Sequence, residues 1–238
     1  MSSIQRVQLA PAFVLHTRPY RETSALVELF TFDQGRVTVV ARGARGPRSR
    51  LRAELQPFRP LLVSWQARSD LGILTGAESE HAAPLITGLA LYAAFYLNEL
   101  LLRLLARHDP HPTLYREYVA ALHGLEEGTP VEALLRRFEL RLLEELGYAL
   151  ALERDARTGE PLDPAARYAY RLEQGPVRAA AGDTGFIFAG SSLLGIDAGR
   201  FDDAQILRDA KRLLRAALGL YLGDKPLRTR ELLRQMAG

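Results

Sequence analysis

The sequence predicts an α+β multidomain chain: an N-terminal β-barrel, then a mainly α-helical domain that carries a loop-rich insertion. Three observations predict it. Up to about residue 80, short runs of Val, Leu, Ile and Phe are separated by turn residues. After Pro84 the apolar residues recur at helical spacing. Between residues 151 and 196 both periodicities fade, and Gly and Pro accumulate.

The strand candidates are AFVLHT, ALVELFT, RVTVVA, PLLVSW and LGILTG. FTFDQGRVTV reads as a hairpin in which Gly35 supplies a positive φ. Five short strands within residues 1–82 fit a partly open barrel of the OB type, a fold that often binds nucleic acid. The join to the helical domain, residues 83–238, falls near His81 to Pro84. LITGLALYAAFYLNELLLRLLARHD is apolar on nearly every face and is expected to be the enclosed helix of that domain. LYREYVAALHGL is a further helix, with Gly124 placed to end it. In TPVEALLRRFELRLLEELGY, Thr129 is expected to cap, Pro130 to take the first helical position, Glu132 to complete a capping box and Gly147 to terminate. Residues 151–196 form the loop-rich insertion, with room for a small hairpin. Two helices close the chain: DDAQILRDAKRLLRAALGLYL, stopped by Gly223, and TRELLRQM, capped by Thr229.

Of 238 residues, 47% are hydrophobic and 25% charged, enough apolar side chain for a sizeable core. Cysteine is absent, which excludes disulfides, thiolate zinc sites, iron–sulfur clusters and cysteine nucleophiles. The start, MSSIQRVQLAPAF, lacks the charged-then-apolar pattern of a secretory signal. The most apolar run, residues 85–106, is interrupted by Asn98, Glu99 and Arg103, which a bilayer would penalise. A cytoplasmic protein with no membrane partner is expected.

Enzyme chemistry finds no foothold. There is no phosphate loop of the G-x-x-x-x-G-K-[ST] type, no G-x-S-x-G elbow, no H-E-x-x-H pair and no G-x-G-x-x-G fingerprint. His108 and His111 are crowded by Asp109, Pro110 and Pro112 and read as a polar helix-ending loop. Acid pairs such as Asp202–Asp203 are adjacent in sequence, so on a helix they point apart. No catalytic residue, cofactor or metal ligand is expected.

Cations, in contrast, collect. Arg36 to Arg59 holds seven arginines against Glu54, and ARGARGPRSRLRAELQPF concentrates Arg42, Arg45, Arg48, Arg50 and Arg52 between the third and fourth strands. Such a run suits phosphate contact, which adds sequence-independent, salt-sensitive affinity. In HTRPYRETS, Arg18 and Arg21 flank Tyr20, an interleaving that lets bases stack while phosphates pair; solvated surface is the alternative reading. Lys211, Arg212 and Arg215 follow Asp202, Asp203 and Asp209, an order that also suits a helix dipole. The tail adds Lys225, Arg228 and Arg230. Arg136 and Arg137 accompany Leu134 and Phe138 on one helix. They suit either a groove for an acidic, apolar-ended peptide or an arginine reaching past the core edge.

AFVLHTRPYRETSALVELFT, GRVTVVARGARGPRSRL, LQPFRPLLVSW, LYAAFYLNELL, LRRFELRLLEELGY and YLGDKPLRTRELLRQ, in this order along nearly the whole chain, resemble the bacterial recombination mediator RecO family, its proteobacterial branch above all. The resemblance implies a non-enzymatic role in DNA repair and recombination at the nucleoid. It implies binding of single- and double-stranded DNA and annealing of complementary strands. It also implies docking on the acidic C-terminal tail of single-stranded DNA-binding protein (SSB), and action with RecR, alongside RecF-pathway partners, to load RecA. It further implies that the Arg42–Arg52 loop contacts DNA, and that Arg136, Arg137, Leu134 and Phe138 help receive the SSB tail. Many members carry a four-cysteine zinc module where this chain has the cysteine-free residues 151–196, so no zinc is expected here. The competing reading is an RNA-binding OB protein of translation or RNA metabolism.

Overall fold

Five strands close into a barrel in the computed structural model, which describes residues 4–180, 182–223, 225–229, 231 and 232. They are β1 (Gln5–Tyr20), β2 (Ser24–Thr31), β3 (Gly35–Ala41), β4 (Leu61–Ala67) and β5 (Leu71–Ser79), and the short helix α1 (Arg50–Glu54) lies between β3 and β4. The order is β1-β2-β3-β5-β4; β3 and β5 run parallel, and the other neighbouring pairs are antiparallel. β1, 16 residues long, closes the barrel by pairing with β2 at one end and β4 at the other. Two irregularities bend it, one between Val7 and Ala10 and one between Val14 and His16. The predicted hairpin forms: Gly35 takes φ +63°, and a Cβ there would collide with the Asp109 backbone. The Thr31 hydroxyl donates to the Gly35 carbonyl at 2.8 Å and accepts from the Gln34 amide at 3.1 Å.

Alternation builds the interior. Ala12, Val14, Val27, Leu29, Val37, Val39, Leu61 and Val63 point inward and are buried. Each such Val or Leu contributes about 1.5–3 kcal/mol through burial. The opposite face is also covered, which is why β2 and β3 read as nearly continuous apolar runs. Phe13 and Phe30 emerge on that face and pack against Tyr115 and Tyr118, with centroids 5.2 to 6.1 Å apart.

Those tyrosines belong to α3 (Pro112–Glu126), which packs beside α2 (Gly88–Leu104). Asn98 of α2 donates to the carbonyls of Val14 and Leu15, released by the β1 irregularity, and accepts from the Tyr118 hydroxyl at 2.6 Å. The packing therefore divides the chain later than the composition does. Met1–Gly128, with the stretch beginning at Leu227, form one compact unit, and Thr129–Pro226 form the other. The physical reason is the apolar outer face of β1 and β2, which α2 and α3 enclose. Gly124 does not end α3; the helix runs on to Glu126 and Gly128 takes φ +81°. After Leu227 the chain is tied to α2: Glu99 accepts from the Arg228 and Thr229 amides at 2.9 Å each and from the Thr229 hydroxyl. Glu99, rather than Thr229, thus satisfies that helical turn.

The second unit contains α4 (Val131–Glu145), β6 (Arg167–Arg171), β7 (Gly175–Arg178), β8 (Ile187–Ala189), α5 (Gly190–Asp197) and α6 (Ala204–Leu222). Pro130, not Thr129, occupies the N-cap of α4, and no side chain caps it; Glu132 pairs instead with Lys211 of α6. Gly147 ends α4 with φ +81°, as predicted. Asp203 caps α6 by accepting from the Gln205 and Ile206 amides, which holds its carboxyl below the ordinary range, and Gly223 stops the helix. The insertion holds more than a hairpin: β7-β6-β8 is a three-stranded sheet followed by α5.

Asp155 organises the insertion. Its carboxylate accepts from the amides of Arg157 at 2.8 Å, Thr158 at 3.1 Å and Arg178 at 2.8 Å. Burial would raise its pKa; those amides outweigh it and hold the carboxyl below the ordinary value. The residues here do not fit zinc. There are no cysteines, and among the described residues no group of three His, Asp or Glu side chains converges on a point. Three amide hydrogen bonds to the Asp155 carboxylate tie the turn at Arg157 and Thr158 to β7. Among the described residues, no helix is long and apolar enough to cross a membrane.

Candidate nucleic-acid interface

Two arginine-bearing segments meet at one end of the barrel. β1 and β2 turn over Arg21, Glu22 and Thr23, with Arg21 at φ +52° and its guanidinium 5.3 Å from the Tyr20 ring centre. β3 leaves the barrel beside that turn, because Ala25 pairs with Ala41. The Arg45 amide donates to the Thr23 carbonyl at 2.9 Å, and its guanidinium donates to the carbonyls of Arg21 and Glu22 at 3.1 and 3.3 Å. One arginine of the run thereby clips the other segment into place.

Arg18, Arg21, Arg42, Arg48, Arg50 and Arg52 are exposed, and no ion pair holds any of them among the described residues. The run is not all loop, since α1 carries Arg50 and Arg52. Glu54, the one acid in the run, pairs with Arg59 at 3.3 Å. The exposed arginines of the connection are left without an internal counter-charge.

Arg36 is placed differently. Its guanidinium pairs with the buried Glu28 at 3.1 Å and donates to the Leu105 carbonyl at 3.1 Å. Thr38 and Arg107 complete the cluster around Glu28. That position is structural, and the arginine is not offered to solvent. The reason lies in β3, which sets Arg36 on the face that the residues after α2 cover.

The C-terminal cations are dispersed. On α6, Lys211 pairs with Glu132. Arg212 lies 4.1 Å from the Phe188 ring centre and donates to the Ile187 carbonyl, so it packs the sheet to the helix. Both cations are thus engaged within the second unit. Arg215 is exposed on α6. Lys225 and Arg228 are exposed but belong to different compact units, and Arg230 lies outside the described residues.

The expected tail site on α4 is also altered. Leu134, Phe138 and Arg136 are all buried, and Arg136 pairs with Glu139, itself 1% exposed. Arg137 alone of the four stands in solvent. Leu134 and Phe138 pack in the core of the second unit. Sequence reasoning missed Asp155 and Phe95. The run RDARTGEP, an Asp shortly before a Gly, was a turn signal for the first. Phe95 lay within a run apolar on nearly every face, where nothing marked it as 39% exposed.

A closed five-stranded barrel of the OB order, followed by helices and carrying an arginine connection that its one acid does not neutralise, defines the class: an OB-barrel protein with a helical C-terminal domain. The chain belongs to the recombination protein O family. The family model described as Recombination protein O N terminal matches residues 6–83, and that described as Recombination protein O C terminal matches residues 87–231. The chain is 46% identical to DNA repair protein RecO of Aromatoleum aromaticum over 99% of each chain. It is 49% identical to the protein of that name from Nitrosococcus oceani, over 97% of this chain and 94% of that one. With that of Alkalilimnicola ehrlichii it shares 50% identity, over 98% and 93%.

Proposed function

We propose that the protein is a non-enzymatic mediator of DNA repair and recombination, acting in the cytoplasm at the nucleoid. Family membership supports a repair and recombination role, and favours DNA over the RNA alternative. In this reading the barrel end binds single- and double-stranded DNA and anneals complementary strands. The protein docks on SSB-coated DNA through the SSB tail and works with RecR to load RecA. One observation carries the DNA part: Arg42, Arg48, Arg50 and Arg52 are exposed beside a clipped turn, while Glu54 is taken by Arg59.

The mechanism is electrostatic. Two complementary strands repel through their phosphates, and guanidinium groups lying between them lower that repulsion while releasing counterions. No base is read, so any complementary pair is served. For the tail, Arg137 of α4 is exposed and offered to an acidic peptide, whereas the exposed Arg141 pairs with Glu144 and Arg136 supports the helix from inside.

The test is annealing of complementary strands, bare and SSB-coated, with Arg42, Arg48, Arg50 and Arg52 changed to Glu. The variant anneals slowly, and its affinity for single strands depends less on salt, the slope falling by about 0.7 for each phosphate no longer neutralised. On coated strands, SSB lacking its tail slows the unaltered protein. Unchanged rate and slope in the variant defeat the DNA assignment, and indifference to the tail defeats the docking.

A further inference from the structure

The connection that carries the arginines also encloses a pocket of about 560 Å³ against β1. It arises from the β1 irregularity between Val14 and His16. There Asn98 takes the freed carbonyls, and Val14 pairs with Pro57 to hold the far end of the connection on the strand. Buried Leu15 and Leu55 line it, and His16 and the half-open Phe95 ring stand at its sides. Arg45 and Arg52 border it with His16, Thr17 and Gln56, so the anion-attracting stretch and the partly apolar recess are one surface.

That combination suits a ligand anionic and apolar at once, an acidic, apolar-ended peptide or a single strand, and the flat Phe95 ring beside several exposed arginines favours the strand. Phosphate alone would be met by the arginines and would leave the recess empty; an apolar peptide would have no use for the cations. A single strand supplies both, because its unpaired bases present flat apolar faces next to phosphates, whereas a duplex keeps its bases stacked inside. The volume lies in the range of small-molecule sites, roughly 300–1,000 Å³. We propose that this pocket receives an unstacked base of single-stranded DNA against Phe95, while the neighbouring phosphates lie on Arg42, Arg48, Arg50 and Arg52. The inference rests on the DNA reading above and adds a preference for single strands at this face.

The experiment compares a thymidine oligonucleotide with an equally long abasic strand, which keeps the phosphates and lacks the bases. The unaltered protein binds the base-bearing strand roughly 5- to 150-fold more tightly, the range that stacking one base contributes. Phe95→Ala loses most of that preference and loses less on duplex than on single strand; Phe95→Trp retains it. Equal binding of the two strands by the unaltered protein overturns the pocket, and needs no variant to fold. Full preference in Phe95→Ala overturns it as well. Failure of the DNA reading is distinct: there the Arg-to-Glu protein binds every strand as tightly as the unaltered one.

Discussion

Arg50 and Arg52 on α1 and Arg136 and Arg137 on α4 look alike in sequence, cations set close together among leucines. The fold sets one of the four, Arg136, apart. α1 has no buried residue, and both of its arginines stand in solvent with the one local acid drawn off by Arg59. α4 is packed along one face, and there Arg136 is buried on Glu139 while Arg137 projects outward. An arginine's role follows from what surrounds it. A buried guanidinium with a carboxylate partner holds structure, and an exposed one without a partner is available to a ligand.

The sharpest way to break this comparison is Arg136→Ala. It removes the guanidinium that pairs with buried Glu139, together with the packing of its buried stem, so the second unit should lose about 3 kcal/mol in denaturant unfolding. A loss below about 1 kcal/mol would place Arg136 with the surface arginines.

Next comes Asp155→Asn, the anionic counterpart, expected to destabilise the second unit by roughly 1–3 kcal/mol at neutral pH through mismatched amide donors. The pH dependence has a definite sign. The folded-state pKa of Asp155 is lowered, so its contribution is complete above the unfolded value of about 4 and is lost as pH falls through the lower folded value. Acid titration of stability should therefore be shallower below about pH 4 in the Asn variant. Identical acid limbs would show that other carboxylates hold the insertion together.

The smallest effect belongs to Arg48→Gln and Arg50→Gln, each within about 0.5 kcal/mol of the unaltered protein by thermal unfolding. A larger loss would mean that these side chains support the fold and are not free for DNA.

Much of the fold was legible in the residues. The strands of the barrel, the hairpin at Gly35, the stops at Gly147 and Gly223 and the helical spacing after Pro84 depend on local chemistry, which sequence records directly. The misreadings share a cause as well. Thr129 and Thr229 are good caps by type, but the N-cap of α4 falls one residue later, at Pro130, and Glu99 from α2 takes the amides at Thr229 because it lies beside them in space. The Arg run could be read as a basic connection, but not that Arg45 would clip the neighbouring turn or that Arg36 would be drawn to Glu28.

By itself, the sequence determined the barrel-then-helix order, the basic connection between β3 and β4, the absence of thiolate chemistry and the family. These follow from periodicity, composition and short-range turn geometry. Tertiary structure alone decided which arginines are engaged, that α2 and α3 enclose the outer face of β1 and β2, and that the Asp155 carboxylate gathers the amides of Arg157, Thr158 and Arg178. Each of those depends on contacts between residues far apart in the chain, whose desolvation and hydrogen bonding are set only once the chain has folded.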